Sequence, residues 1–312
     1  MLVEEELARF SPEMDMLLTI GVFDGVHLGH KYLISQLREQ ARQQKLLSGV
    51  VTFGQHPQEV LAPETTLPYL TELAEKTDLL KKEGVDAVIA LSFTRELAGL
   101  SARQFISLLK KFLRIRGLVI GPDFALGQGR QGNADALRQL GEEMAFTVTV
   151  VSPVTVNGDV VSSTAIRKAL ADGDIRRVAR LIGRPFSLQG RVASGVGRGS
   201  RLGFPTANLD LDTKQALPAD GVYATLAHVD GKTYQSMTNI GQRPTFGGGG
   251  RTVETYVLDY QGDLYGRQLR IDIIEHLRGE RRFASADELQ KQIAEDIRQG
   301  KAILNRRGGN QG

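Results

Sequence analysis

Two imidazoles three positions apart open the chemistry of this 312-residue chain: His27 and His30, in the segment GVFDGVHLGH at residues 21–30. The segment follows a short apolar run and leads into an amphipathic stretch, so both rings lie on one face at the start of a helix. Helix-start N–H groups attract phosphate, and Gly29 lets the backbone approach closely. The two rings can donate hydrogen bonds to phosphate oxygens as charge grows on them. That equipment suits displacement at an α-phosphate through a pentacovalent transition state. Two His at helical spacing can also hold a metal, but the chain has five His in all and no third ligand stands nearby. The bland reading of each is a half-buried or surface histidine.

A second group sits at VSSTAIR, residues 161–167. Ser163 and Thr164 open a helical stretch and offer capping oxygens beside free N–H groups, and Arg167 supplies a guanidinium fork one turn on. A plain N-cap with a solvated arginine has the same pattern. Further along, Gly195, Gly197, Gly199 and Gly203 precede Pro205-Thr206-Ala207-Asn208. Such glycines let backbone amides wrap a polyphosphate, although a barrel corner or hairpin is equally glycine-rich. The segment lacks the Gly-Lys-Ser/Thr of a Walker loop. The Thr206 hydroxyl and Asn208 carbonyl, read as a turn, are hard oxygen donors suited to Mg²⁺. Glu254 alternates with Val253 and Val257, sharing a strand face with Thr252 and Tyr256. It faces either a pocket or solvent.

The elements that must position these groups change character along the chain. Apolar runs at 17–23, 47–53, 85–91, 117–121 and 146–151 read as buried strands. They alternate with helical spacing at 28–44, 71–83, 102–113 and 133–144, with Ser101 and Asn133 as N-caps. This predicts a doubly wound parallel sheet with its site outside the carboxyl ends of the strands. Short helices at 163–171 and 174–181 follow, and Ile182-Gly183-Arg184-Pro185 marks a boundary. Beyond it, glycine-rich strands at 186–193, 221–229, 232–240, 253–260 and 268–276 read as an antiparallel barrel or sandwich. A final helix at 285–298 starts with Ser285 three residues before Glu288, a capping-box spacing. The expected fold is α/β, with domains at 1–184 and 185–312. A run of four glycines, 247–250, is the one low-complexity stretch.

Composition narrows the classes. The chain is about twice a usual domain of roughly 150 residues. At 41% hydrophobic and 24% charged it is ordinary globular material. A net charge of +3 is too small to mark a nucleic-acid or membrane footprint. Zero Cys excludes disulfides, thiolate metal sites and Cys nucleophiles. With an acidic N-terminus and no membrane-length apolar run, the expectation is a soluble cytoplasmic protein. Nothing in the sequence specifies an oligomeric state.

The motifs resemble those of the bifunctional bacterial riboflavin kinase/FAD synthetase family. GVFDGVHLGH, VTF at 51–53, EKTDLLKKEGVD at 75–86, GPDF at 121–124 and VSSTAIR carry the likeness in the first half. The glycine segment through Asn208, GVY at 221–223, NIGQRPTF at 239–246, VETYVLD at 253–259 and GDLYG at 262–266 carry it in the second. The resemblance implies adenylylation of FMN to FAD in the first domain and phosphorylation of riboflavin to FMN in the second, with ATP and Mg²⁺. It implies nucleotide binding by Gly21, Phe23, Asp24, Gly29, Ser163, Thr164, Arg167 and the four glycines of the second domain. It implies flavin binding by Asp123 and Phe124, metal binding by Thr206 and Asn208, and catalysis by His27, His30 and Glu254. Two departures stand out. Leu126 replaces the usual aromatic, and Gln55-His56-Pro57 replaces Pro-His-Pro.

Overall fold

The computed structural model describes residues 2–65, 67–193, 203–242 and 250–308. Its chain divides into two compact units, Met1–Ser163 and Thr164–Gly312.

The first unit runs α1 (Leu2–Ala8), β1 (Met16–Ile20), α2 (Leu28–Gln44), β2 (Leu47–Phe53), α3 (Pro57–Leu61), α4 (Leu73–Lys82) and β3 (Ala87–Leu91). It continues α5 (Arg95–Ala98), α6 (Ala102–Leu113), β4 (Ile115–Ile120), the ribbon β5 (Ala125–Leu126) and β6 (Gly132–Asn133), α7 (Ala134–Met144), β7 (Thr147–Val150), and the ribbon β8 (Thr155–Val156) and β9 (Asp159–Val160). Five strands form one parallel sheet in the order β3-β2-β1-β4-β7. Alternation along each strand sends side chains to both faces, and each face has its own core. Ile34, Leu37 and Ala41 of α2 and Leu80 of α4 pack with Leu17, Val50 and Val119 on one side. Val3 and Leu7 of α1, Ile106 and Leu109 of α6 and Leu137 of α7 pack with Leu18, Val51 and Leu118 on the other. The predicted caps are in place: Ser101 Oγ accepts from Gln104 N and Asn133 Oδ1 from Ala136 N.

The second unit contains α8 (Ser163–Ala171), which begins at the division, then α9 (Ile175–Ile182), β10 (Phe186–Ala193), β11 (Ala207–Asp210), β12 (Gly221–Val229), β13 (Lys232–Gln242), β14 (Arg251–Val257), β15 (Gln268–Arg278) and a C-terminal helix, α10 (Ala286–Gly308). The compact units thus part earlier than Arg184, and α9 packs on β10 and β15. The six strands close a barrel in the order β10-β11-β14-β13-β12-β15, deciding between barrel and sandwich. Ala224, Met237, Tyr256 and Ile274 meet Ile297 and Leu304 of α10 on one face. On the opposite, inward face a chain of buried hydroxyls joins Thr225 to Ser236 at 2.7 Å and to Thr238 at 2.9 Å, and Thr238 to Thr255 at 2.9 Å. Each hydroxyl can donate once and still accept, so the barrel interior holds polar atoms without stranding them.

Three expectations change. Asn208 lies in strand β11, not in a turn: its backbone joins the ladders to β10 and β14. The last helix runs to Gly308 rather than 298. Gly300 masks that continuation in the sequence; in the structure it lies against the Met237 thioether. The Ser285 cap forms with Glu288 N, but the Glu288 carboxylate takes the N–H of Ala284 instead of closing the box on Ser285.

Candidate active sites

The first site grows out of the loop after β1. In the sheet order, β1 lies between β2 and β4, so the chain leaves β1 at the point where strand order reverses. That crevice at the carboxyl ends is where open α/β sheets bind ligands. Between β1 and α2 three residues take left-handed backbone: Phe23 at φ 52°, Gly25 at 84° and Val26 at 38°. For Phe and Val this costs of order 1–3 kcal/mol each. Burial offsets it, because Phe23 and Val26 sit in the core beneath α2. Asp24, also buried, accepts from Leu70 N at 2.9 Å and Thr71 N at 3.1 Å, and Gly25 N donates to Thr71 Oγ1. Side-chain-to-backbone bonds thus hold the loop shape.

This loop delivers His27 as the N-cap of α2 and His30 as its third residue. His27 Nδ1 accepts from His30 N at 3.3 Å, and His30 Nδ1 accepts from His27 N at 3.4 Å. A ring nitrogen that accepts cannot carry the proton, so the reciprocal cap places the hydrogen of each neutral imidazole on Nε2. The rings stack at 3.5 Å between centroids and 16° between planes, and Phe23 sets its edge against His30 at 5.0 Å. The pair is a two-pronged donor built on a helix N-terminus. Burial first, then the neighbouring His27 and Lys76, holds His30 well below the ordinary imidazole range, so it stays neutral and keeps its Nε2–H.

Gly21, Gly29 and Ser163 adjoin the histidine loop. Gly29 lies under the His27 ring, where a Cβ would stand 3.2 Å from Nδ1, and a Cβ at Gly21 would stand 3.1 Å from the Phe23 ring. Ser163, the last residue of the first unit, donates through Oγ to Asp24 O at 2.8 Å. Thr164 and Arg167 follow in the first turns of α8 and belong to the second compact unit. Asp123 and Phe124 lie just past β4, the strand beside β1; Asp123 O accepts from Arg130 Nη2 at 2.9 Å, and Phe124 packs half-buried on the core. The two departures are absorbed structurally. Leu126 is a core residue, and Gln55 Nε2 donates to Phe93 O. His56 caps α3 by accepting from Gln58 N at 3.2 Å.

Lys76 was not singled out from sequence. It is 5% exposed on α4, and its ammonium donates to Val22 O at 3.0 Å and Phe53 O at 2.7 Å. One signal was present: Lys76 stands four residues before Leu80, a charge on the buried stripe of its helix.

The second site forms on the barrel face under α10. Asn208 of β11 pairs with Glu254 of β14, and Glu254 with Asn239 of β13, placing three polar side chains in one row across three strands. Thr206, just before β11, donates through Oγ1 to Glu254 Oε2 at 3.3 Å. Glu254, Asn239 and Tyr256 line a cavity of about 660 Å³ roofed by Ile293 and Ile297 of α10, within the range that encloses a small-molecule ligand. Thr206 also lines a neighbouring cavity of about 180 Å³ with Tyr260, Asp263 and Tyr265. The hydroxyl therefore stands on the wall common to both. Gly203, beside these residues, takes φ 85° with open space around it. Gly195, Gly197 and Gly199, with Arg243 and all but the last of the four-glycine run, lie outside the described residues. Asn239 and the roof anchor Asp296 went unassigned in the sequence. Asp296, 4% exposed, accepts a two-pronged contact from Arg278 at 2.8–3.1 Å and a bond from Gln292.

Comparison with known proteins follows this division. A family profile for FAD synthetase matches residues 11–165 and one for riboflavin kinase matches residues 182–304. The bifunctional riboflavin kinase/FMN adenylyltransferase of Escherichia coli K12 is 41% identical over 288 residues, 92% of each chain. That of Pseudomonas fluorescens is 40% identical over 287 residues, 91% of this chain and 92% of its own. A solved structure from Streptococcus pneumoniae, described as a macrolide-efflux protein, superposes with a TM-score of 0.87 at 30% identity, covering 95% of this chain and 96% of that one. Among the described residues no helix is long and apolar enough to cross a membrane. Two profiles in this order, on a sheet with paired imidazoles and a barrel with a carboxylate in a cavity, give one conclusion: the chain belongs to the bifunctional riboflavin kinase/FMN adenylyltransferase family.

Proposed function

We propose that the barrel unit transfers the γ-phosphoryl group of ATP to riboflavin, giving FMN, and that the parallel-sheet unit joins FMN to AMP from a second ATP, giving FAD and pyrophosphate. The division of labour follows residues 1–184 and 185–312. The observation that carries this reading is the reciprocally capped imidazole pair at the switch point, with the carboxylate row in a separate cavity.

In adenylyl transfer a phosphate oxygen of FMN attacks the α-phosphorus of ATP, and the bond to pyrophosphate breaks. Charge grows on the α-phosphate oxygens, where the two Nε2–H groups donate. Gly21, Phe23, Asp24 and Gly29 shape the phosphate cradle; Ser163, Thr164 and Arg167 hold the triphosphate, and Asp123 and Phe124 border the flavin. In the kinase step Glu254 receives the proton of the terminal ribityl hydroxyl as its oxygen attacks the γ-phosphorus and ADP departs. The isoalloxazine occupies the larger cavity and the nucleotide the smaller one, with the glycines at 195, 197, 199 and 203 around the phosphates. The donor set fits Mg²⁺: Thr206 and Asn208 present oxygens beside the Glu254 carboxylate, and the ion would neutralise phosphate charge there. The substrates are small molecules of the cytoplasm, with no nucleic acid or membrane as partner.

Incubation with riboflavin, ATP and Mg²⁺, with FMN and FAD resolved by chromatography, tests the assignment. His27→Ala or His30→Ala is expected to lower FAD formation about 100-fold or more while leaving FMN formation intact. Glu254→Ala is expected to do the reverse when FMN is supplied for the second step. Loss of both steps from either change would contradict the division.

A further inference from the structure

Lys76 is a buried charge that packing alone does not require. An apolar side chain of similar length would fill the same space without the penalty of taking an ammonium out of water. Its two acceptors are main-chain carbonyls at the carboxyl ends of adjacent strands. Phe53 closes β2, and Val22 lies two residues past β1, immediately before Phe23 turns left-handed. Val22 O also accepts from Thr52 Oγ1 at 3.0 Å. The ammonium and one hydroxyl therefore fix the point at which the histidine loop leaves the sheet.

The charges around His30 form a short series. His27 stacks on it from the N-cap, Asp24 lies in the loop below, and Lys76 approaches from α4. Burial holds the Lys76 ammonium below its ordinary range, and Asp24, itself held by the Leu70 and Thr71 amides, opposes that shift in part. Lys76 opposes a positive charge on His30. Geometry makes that opposition matter, because a proton on His30 Nδ1 would displace the hydrogen it accepts from His27 N. Proton state and loop shape at this site are one variable.

We propose that Lys76 is a positioning residue for adenylyl transfer: its ammonium fastens the histidine loop to the ends of β1 and β2 and keeps both imidazoles in the Nε2–H tautomer that the phosphate requires. The inference rests on the adenylyl-transfer reading of this site.

The test uses the full chain with Lys76→Met, Lys76→Gln and Lys76→Arg. Adenylyl transfer is followed from about pH 5 to about pH 9, with riboflavin phosphorylation as the internal measure of intact protein. For Met and Gln the expected result is kinase activity within about twofold of the parent, kcat for FAD formation down about tenfold or more with KM for ATP little changed, and the acid limb of kcat moved to higher pH. Arg keeps the charge and is expected to keep the limb where it was. In the parent protein, long-range ¹H–¹⁵N spectra of labelled histidine are expected to show His30 as the Nε2–H tautomer, still neutral below about pH 6.5, where an unperturbed imidazole is charged. A loss of rate equal at every pH would reduce Lys76 to a packing residue and overturn the proposal, as would unchanged kcat or an Nδ1–H tautomer at His30. Absence of FAD formation in the parent would instead defeat the adenylyl-transfer reading, which the tautomer measurement does not depend on.

Discussion

Tyr223 shows how one side chain can hold a loop that no strand pairing reaches. It is fully buried at the head of β12, and its hydroxyl donates to Ala219 O at 2.5 Å, with the His276 ring tilted against it at 4.9 Å. Burial pushes the phenol up to about 12, so it remains a donor at any working pH. Tyr223→Phe leaves the Ala219 carbonyl without that partner and is expected to lower stability by about 1–3 kcal/mol, read as a fall in the denaturant midpoint with unchanged slope. At this scale the sequence was informative where chemistry is local. The histidine pair is three residues apart, and the face of Glu254 follows from alternation along one strand. Lys76, Asn239 and Asp296 were not legible, because their meaning comes from partners 15 to 54 residues away, brought together only by the fold.

The larger cavity depends on how one helix is anchored over one barrel face. Polar fastenings help to hold α10, the Arg278–Asp296 contact to the end of β15 and the Gln235–Asn305 bond to β13, and Gly300 lies against Met237. Truncating one partner of a buried pair leaves the other charge uncompensated, an effect of about 3–5 kcal/mol in buried settings. Arg278 is only partly buried, so the lower end applies. Asp296→Asn is expected to loosen the roof, raising KM for riboflavin several-fold with a smaller effect on kcat and none on adenylation of supplied FMN. Steady-state kinetics of the two steps checks this. Helices α2, α6 and α8 and strands β2, β10 and β12 fall at the limits that periodicity sets. The misses have physical causes. Strand β1 stops at Ile20 because the apolar run continues into a left-handed loop that buries Phe23 and Val26. Helices α1, α3 and α5 span 7, 5 and 4 residues, too short for periodicity to register. Strand β11 has 4 residues and exists through its neighbours on either side.

Two compact units with separate cores respond to conditions separately. The half-buried, neutral His30 of the first unit titrates well below its ordinary value, whereas an unfolded histidine titrates near 6.5. Between those two points the unfolded chain binds more protons, so the contribution is full above about pH 6.5 and is lost as pH falls toward the folded value. Acidification from about pH 7 to about pH 5 is expected to lower the unfolding midpoint of the parallel-sheet unit more than that of His30→Asn, whose amide oxygen can still accept from His27 N. Calorimetry of both proteins at the two pH values checks the difference.

Closure of the six-strand ladder has a consequence for how copies of this protein can meet. A sheet that returns on itself presents no free outer strand, so among the described residues the barrel gives an incoming extended segment no edge to zip onto. The parallel sheet keeps two outer strands, β3 and β7, and the ribbons β5-β6 and β8-β9 keep open edges of their own, so among the described strands intermolecular addition to the native sheets begins in the first unit. In stressed or concentrated preparations, the lesion to look for therefore lies in the half that makes FAD, with riboflavin phosphorylation outlasting it.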